Sequence, residues 1–445
     1  MMKLFAKLKD TTPIKLDQRS WILLGLLGGG GAFFGTVENG QLNTYINSVL
    51  RWEFKVFWDG WMIPLMTSFS AIMGLVFMLV WGAYSDRHYS RWGHRKPFLL
   101  LGIIAGVAMI VYLASRDFWL CFFLDVIVIG IAMNGRLAAE KALLPELTVP
   151  EERGRVNARV NVISAIFGII SMAFFLLAAF FFRSKDPFGK DYMNYAGHVW
   201  VLGISGAIYI GVAIAGFYGI KERAKKPESP PRGKWYSDII RSFRFSELKE
   251  QKEFFKIMIA MLVFNIGPKM FLPWIFEFLT VLLHLLTIEL VLAVAAIYLF
   301  GGWLISLFLG KLCDKYGRKR PAILSTMLGA IGFLLVPLAI VTLNYALILV
   351  MFFLLIFNLN GVPTITSAWM QDLLPAGKIG QFTGINNISS TVNQVIGVWI
   401  GGFVYMVTNG NIAWNMFFAG LVFFLSVPLF AIVKESLPVI DVGGQ

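Results

Sequence analysis

Long apolar runs alternate with short charged turns along most of this chain. The runs 98–115, 156–182, 322–343 and 414–433 carry at most one charge each, and each is close to the roughly 20 residues that a helix needs to cross hydrocarbon. They are apolar on all sides rather than alternating residue by residue, which predicts helices and excludes the strands of a membrane barrel. Twelve such spans are expected, beginning near residues 20, 62, 97, 118, 156, 197, 254, 290, 321, 345, 380 and 411. The first, over 20–50, is too long for the apolar core of a signal peptide and lacks a small-residue cleavage site, so it is expected to be retained.

The longest hydrophilic stretch falls between the sixth and seventh spans. It divides the chain into an expected N-terminal bundle of six helices over 1–220, a linker over 221–253 and a C-terminal bundle of six over 254–445. Within the linker, Trp235, Ile239, Ile240, Phe243 and Leu248 recur at helical spacing among cations, a pattern that suits an amphipathic helix lying on the membrane surface. The two halves also repeat each other. GAYSDRHYSRWGHRKP at 82 returns as GKLCDKYGRKRP at 310, and NGRLAAEKALLPELTVP at 134 returns as NGVPTITSAWMQDLLP at 360. Offsets stay near about 226 residues, and an even number of spans per half keeps both copies in one orientation, as in a parallel repeat.

Composition agrees with this membrane reading. Hydrophobic residues make up 57% of the 445, charged residues only 15%, and the mean hydropathy is +0.70. The net charge of +13 comes from 39 lysines and arginines, most of them in segments that a twelve-span topology with both termini cytoplasmic places inside. Topology and anionic lipid account for that basic surface, so no nucleic-acid partner is expected. Cys121 and Cys313 provide neither a disulfide framework nor a thiolate metal site. No metalloprotease motif, nucleophile elbow or phosphate loop is present, and there are only 4 histidines. The reading is therefore of a non-enzyme with no metal and no cofactor.

The repeated charged turn carries a family resemblance. G-x-x-x-D-R-x-x-x-R-x-G-x-R-K-P after the second span, with its shorter copy after the eighth, resembles the signature loop of the major facilitator superfamily. The longer N-terminal form is similar to that of the glycoside and sucrose symporter branches. Two departures bear on the coupling ion. Gly74 and Met78 stand where the melibiose type carries two aspartates, and Gly130 stands where sucrose transporters carry one, so a coupling proton would use other acids. The resemblance implies two six-helix bundles that rock about a midplane site, in a monomer of the plasma membrane. It also implies a cytoplasmic gate of Asp86, Arg87, Arg95 and Glu146, repeated as Asp314, Arg318 and Asp372. In that gate Asp86 would face the start of the eleventh span and Asp314 the start of the fifth, where helix N-termini favour an anion.

Charges inside the spans mark the other candidates, because each is costly in hydrocarbon. Arg136 and Glu140 share a face of the fourth span at i, i+4, with Asp125 about three turns before Arg136. Glu38, followed by Asn39 and Asn43, is the favoured proton carrier, with pairing to Lys269 or Arg136 as its alternative role. Lys269 stands between Pro268 and Pro273, which should interrupt the seventh span, and Glu277 lies further out, at the mouth. Asn360 in the tenth span and Asn386, Ser390, Asn393 and Gln394 in the eleventh offer amides and a hydroxyl to a hydroxyl-rich solute, with Trp274, Trp303 and Trp399 as candidate stacking faces. The glycines Gly25, Gly28 to Gly31 and Gly35 predict close approach of a neighbouring helix. The expected activity is proton-coupled symport of a sugar or glycoside. Proton-coupled transport or export of an organic anion or amphipathic compound, held by Lys269 and Arg136, and a non-transporting receptor on the same fold, are the alternatives.

Overall fold

The computed structural model describes residues 18–85, 87, 88, 90–148, 150–220, 252–285, 293, 297, 301–373 and 379–436. Helices dominate them, and ten are long and apolar enough to cross a membrane: Ser20–Glu53, Met62–Ser85, Phe118–Leu144, Arg159–Phe181, Tyr195–Gly219, Lys252–Thr280, Lys319–Thr342, Tyr345–Met370, Asn387–Val407 and Ile412–Ala431. The sequence leads one to expect twelve. The third expected span is a shorter helix, Lys96–Tyr112, and the eighth is helical over Gly302–Tyr316, with its expected start lying largely outside the described residues. The amphipathic segment around Trp235 also lies outside them. Large apolar side chains such as Ile104, Trp119, Leu177 and Phe353 stand exposed, as surfaces facing lipid require.

The chain forms two compact units: Met1–Leu42, Met73–Phe181 and Tyr195–Ile239 make the first, and Asn43–Ile72, Phe182–Asn194 and Ile240–Gln445 the second. In the first, close packing depends on glycine. A Cβ on Gly106 would lie 2.6 Å from the Gly206 carbonyl oxygen, and one on Gly206 would lie 2.6 Å from that of Gly106, so the Leu101–Tyr112 and Tyr195–Gly219 helices touch backbone to backbone. The glycine run of the first helix behaves as its sequence predicts. A Cβ on Gly28 would meet Ser164 at 2.8 Å, one on Gly29 Phe167 at 2.8 Å, and one on Gly30 Val212 at 2.9 Å. Leu27, Phe98, Leu99, Leu143 and Ile220 fill the core beside this contact.

Aromatic rings fill the core of the second unit. Phe264, Phe271, Phe333, Phe423 and Phe430 are buried together, with Phe264 and Phe333 each 5.0 Å from Phe423 between ring centroids. The Lys252–Phe271 helix runs unbroken through Pro268 and gives way at Leu272–Trp274, a 3-10 turn holding Pro273, before resuming at Ile275. The interruption expected around Lys269 thus lies entirely on its C-terminal side. Pro268, which has no N–H, withdraws one donor from the helical ladder, yet the helix continues through it. The Met270 carbonyl, next to the altered turn, accepts 3.0 Å from Asn415 Nδ2, which also donates to Gly401 O at 2.9 Å. Such side-chain repair lets a broken helix exist in hydrocarbon. Strands β1 (Arg183–Lys185) and β2 (Asp191–Met193) form an antiparallel hairpin in the same unit.

Substituting Gly106→Leu should force the backbone contact apart and lower stability by about 1–3 kcal/mol, read as a lower thermal unfolding midpoint in detergent. An unchanged midpoint would show that the glycine contact is not needed for packing.

Candidate functional site

Three polar clusters interrupt the apolar interior. In the first unit, Arg136 is fully buried and its guanidinium meets Glu140 Oε2 at 3.3 Å, as the i, i+4 spacing predicts. Its Nη2 donates to Leu27 O at 2.8 Å, and the cation lies 4.3 Å from the Tyr209 ring centroid. Tyr209 is in turn stacked on Phe34 at 4.0 Å. Gly31 and Gly102 make room for the arginine, since a Cβ at either would lie 3.3 Å from Nη1 or 2.8 Å from Cδ. A buried cation thus has one anion, one carbonyl and one aromatic face, the combination that makes a charge tolerable away from water.

Two more acids belong to this unit. Asp125 sits in a π-helical stretch, Phe123–Ile129, and is buried, with Oδ1 finding no donor among the described residues. Glu38 is close enough to act on it electrostatically. Glu38 itself is half-buried and accepts 2.8 Å from Asn39 Nδ2, which also donates to Gly35 O. The fourth helix therefore carries a line of ionisable groups, with Glu38 beside Asp125 and the Arg136–Glu140 pair further along.

In the basic turn of the first repeat, Arg95 donates through Nε to Glu146 Oε1 at 3.0 Å and through Nη1 to Ser85 Oγ, while His94 Nε2 lies 3.9 Å from the same carboxylate. The second repeat has the same kind of bond: Arg318 Nε donates to Asp372 Oδ2 at 3.2 Å. Beyond it, Glu435 accepts from the backbone N–H groups of Arg318 and Lys319 at 2.8 and 2.9 Å, capping the ninth span from the other end of the chain. The bond between repeat arginine and repeat acid is therefore made twice. The arrangement expected for Asp86 and for the Asp314 side chain falls outside the described residues, and the Arg87 N–H donates to Tyr84 O at 3.1 Å in the turn that follows the second helix.

The second unit holds the third cluster. Glu277, expected only at a mouth, accepts 2.9 Å from Tyr405 OH and 3.0 Å from Asn47 Nδ2, and Asn47 Oδ1 accepts 2.9 Å from Trp58 Nε1. Trp274 stacks on Tyr405 at 5.4 Å, so its ring packs on protein. Trp399 is 44% exposed, and the Trp303 side chain lies outside the described residues. Lys269 is half-buried, with its helix pressed against Gly397. Asn43 is buried and Asn360 half-buried, the latter's carbonyl accepting from Thr364 Oγ1. Asn393 is buried with Oδ1 finding no donor among the described residues, Ser390 is exposed, Gln394 is half-buried, and the Asn386 side chain is outside the description. Among the described residues no group of His, Cys, Asp or Glu could hold a metal ion.

Sequence reasoning missed Tyr209, Ser85, Asn47, Tyr405 and Glu435. Each acts across more than 80 positions except Ser85 and Tyr209, which lie 10 and 73 from their partners, and no spacing rule links such pairs. The buried pair carries a direct test. Arg136→Ala should destabilise the protein by about 3–5 kcal/mol by stranding Glu140, and adding Glu140→Ala should restore part of the loss. Additive losses in thermal unfolding would mean that the two side chains do not interact.

A family model described as Major Facilitator Superfamily matches residues 32–397 and 279–440. No curated protein matches the chain by sequence. Solved structures do resemble it. The xylose transporter XylE from E. coli, in an inward-open conformation, is 16% identical over 93% of this chain and 96% of that one, with a TM-score of 0.63. The nucleoside transporter NupG is 12% identical over 93% and 100%, with a TM-score of 0.67. A bacterial homologue of the human lysosomal transporter Spinster, inward-facing and unoccupied, is 14% identical over 93% and 94%, with a TM-score of 0.63. At these identities the likeness is one of fold.

Proposed function

We propose that this chain, which belongs to the major facilitator superfamily, is a secondary active transporter that works by alternating access and couples protons to the uptake of a sugar or glycoside. The observation that carries the proton part is the set of ionisable groups held inside the first unit, namely Glu38, Asp125 and the Arg136–Glu140 pair. Carboxyl groups kept in a membrane helix bundle are expensive unless they do something, and loading and releasing a proton is the chemistry they can offer. Glu38 is the favoured carrier. It is half-buried and close enough to Asp125 to act on it electrostatically. Arg136 is committed to Glu140, Leu27 and Tyr209. It suits a fixed counter-charge that a change at Glu38 or Asp125 can perturb.

For the solute, the supporting features are amides. Asn43, Asn360 and Asn393 supply donors and acceptors without net charge, as hydroxyl-rich molecules need. A D-xylose-proton symporter shares the fold at 14% identity and a TM-score of 0.63, which makes the chemistry compatible with the scaffold. A second reading, transport of an organic anion, is favoured by Lys269, a half-buried cation one turn before the break at Leu272–Trp274. In both readings the gate bonds Arg95–Glu146 and Arg318–Asp372 brace the turns on the side assigned to the cytoplasm.

Purified protein in liposomes with an imposed pH gradient, offered labelled sugars and organic anions, tests the proposal. Gradient-driven accumulation of a neutral sugar is expected. Glu38→Gln should abolish accumulation while leaving exchange of labelled for unlabelled solute, since exchange needs no net proton movement. Lys269→Ala should spare sugar transport, and its loss of anion transport instead would establish the second reading. No uptake of either class, with or without the gradient, would refute symport.

A further inference from the structure

The hairpin over 183–193 is more rigid than a passive connector between two helices needs to be. Its strands pair in register from Arg183 with Met193 to Lys185 with Asp191. Its turn is knotted by Asp186, whose Oδ1 accepts from the N–H groups of Phe188 and Lys190 at 2.9 and 2.8 Å, while its own N–H donates to Lys190 O. A further bond, Asn194 N–H to Phe182 O, closes its base. Asp186 thus bonds the turn to itself, as aspartate commonly does in turns.

The hairpin is also seated. β2 packs on the Ile275–Leu285 helix and on the π-helical end of the first helix, Ile46–Glu53. Phe188, at the tip and 76% exposed, meets the edge of Trp52 at 6.1 Å. Arg51, between these two contacts, is sandwiched by Trp52 and Trp58 at 4.1 and 4.0 Å from their centroids. Lys190 acts electrostatically on Glu277, and Asp186 on Tyr405. Beneath the hairpin lies the hydrogen-bonded set of Glu277, Tyr405, Asn47 and Trp58, with Asn47 and Tyr405 buried. The start of the second helix joins it, since a Cβ on Gly402 would collide with Pro64 and one on Gly60 with Met406.

We infer that the 183–193 hairpin is an outer strap: it lies across the ends of the first and seventh helices, seated by β2 and by Phe188 on Trp52, over helix ends that the Glu277, Asn47 and Tyr405 hydrogen bonds tie together, and it lifts when the outside opens. This rests on the transport reading above, because a strap of this kind matters only in a protein that opens. Glu277 is the shared acceptor, and Asn47 and Tyr405 hold together the helix ends on which the strap rests. The Asn47 bond ties the first helix to the seventh and must break on opening, while the Tyr405 bond aims the carboxylate at Asn47, so removing either lowers the free energy of opening.

Distances between spin labels at Lys185→Cys and Val407→Cys, with Cys121→Ser and Cys313→Ser, test the strap in nanodiscs without solute or gradient. A short distance should dominate, and Tyr405→Phe, Asn47→Ala and Phe188→Ser should each enlarge a longer-distance population. Tyr405→Phe keeps the ring and its stacking, so it reports the lost hydrogen bond in a protein that still folds. An unchanged distribution in all three variants would overturn the inference. So would a shift in the two hydrogen-bond variants with none in Phe188→Ser, since the closure would then not involve the hairpin. Because no solute is present, failure to find a transported sugar leaves this result standing, and failure of the strap leaves uptake untouched.

Discussion

A fully buried arginine is the constraint around which the first unit is organised. Left alone, the Arg136 cation would be intolerable in hydrocarbon, and each neighbour reads as a response to it. Glu140 supplies the anion one turn on, Leu27 gives a carbonyl, Tyr209 gives a ring face, and Gly31 and Gly102 give space. Those requirements fix the first, third, fourth and sixth spans against one another. Removing one partner of such a pair costs far more than replacing both, because it leaves an uncompensated buried charge.

Close helix contact and broken helices serve the same end elsewhere. Gly106 against Gly206 brings two backbones together, and in the second unit Gly397 and Gly401 do so beside the interrupted seventh span. Asn415 then satisfies the Met270 carbonyl that the interruption affects. A helix that deviates at Leu272–Trp274 places Lys269 and Glu277 on either side of a break. Glu277 is thereby presented to Asn47 and Tyr405 instead of to water alone.

Much of this was legible in the sequence wherever a short-range rule applies. Apolar runs located ten membrane-crossing helices, the glycine run announced a close neighbour, and i, i+4 spacing gave the Arg136–Glu140 pair. The third span came out shorter than a full crossing because its helix, from Lys96, ends at Tyr112, where the chain turns at Leu113 to Ser115. Proline spacing predicts a break around Lys269, but Pro268 removes one donor from a helix that otherwise continues, whereas Pro273 sits where the chain has already tightened into a 3-10 turn. Repetition of the charged loops pointed to Arg95, Glu146, Arg318 and Asp372, and these do bond in pairs. What no local rule could reach were bonds such as Asn47 to Glu277, 230 positions apart, or the cap that Glu435 places on Arg318 and Lys319. They depend on how helices are arranged, which single-sequence periodicity does not encode.

The account turns on protons moving with a solute through the charged interior of the first unit. Its most direct test is the external pH of a weakly buffered suspension of proteoliposomes when a transported sugar is added with no imposed gradient. Proton symport predicts a transient alkalinisation that scales with sugar entry and vanishes when a protonophore is present. Sugar entry with no change in external pH would contradict proton coupling and leave the acids of the first unit as structural charges.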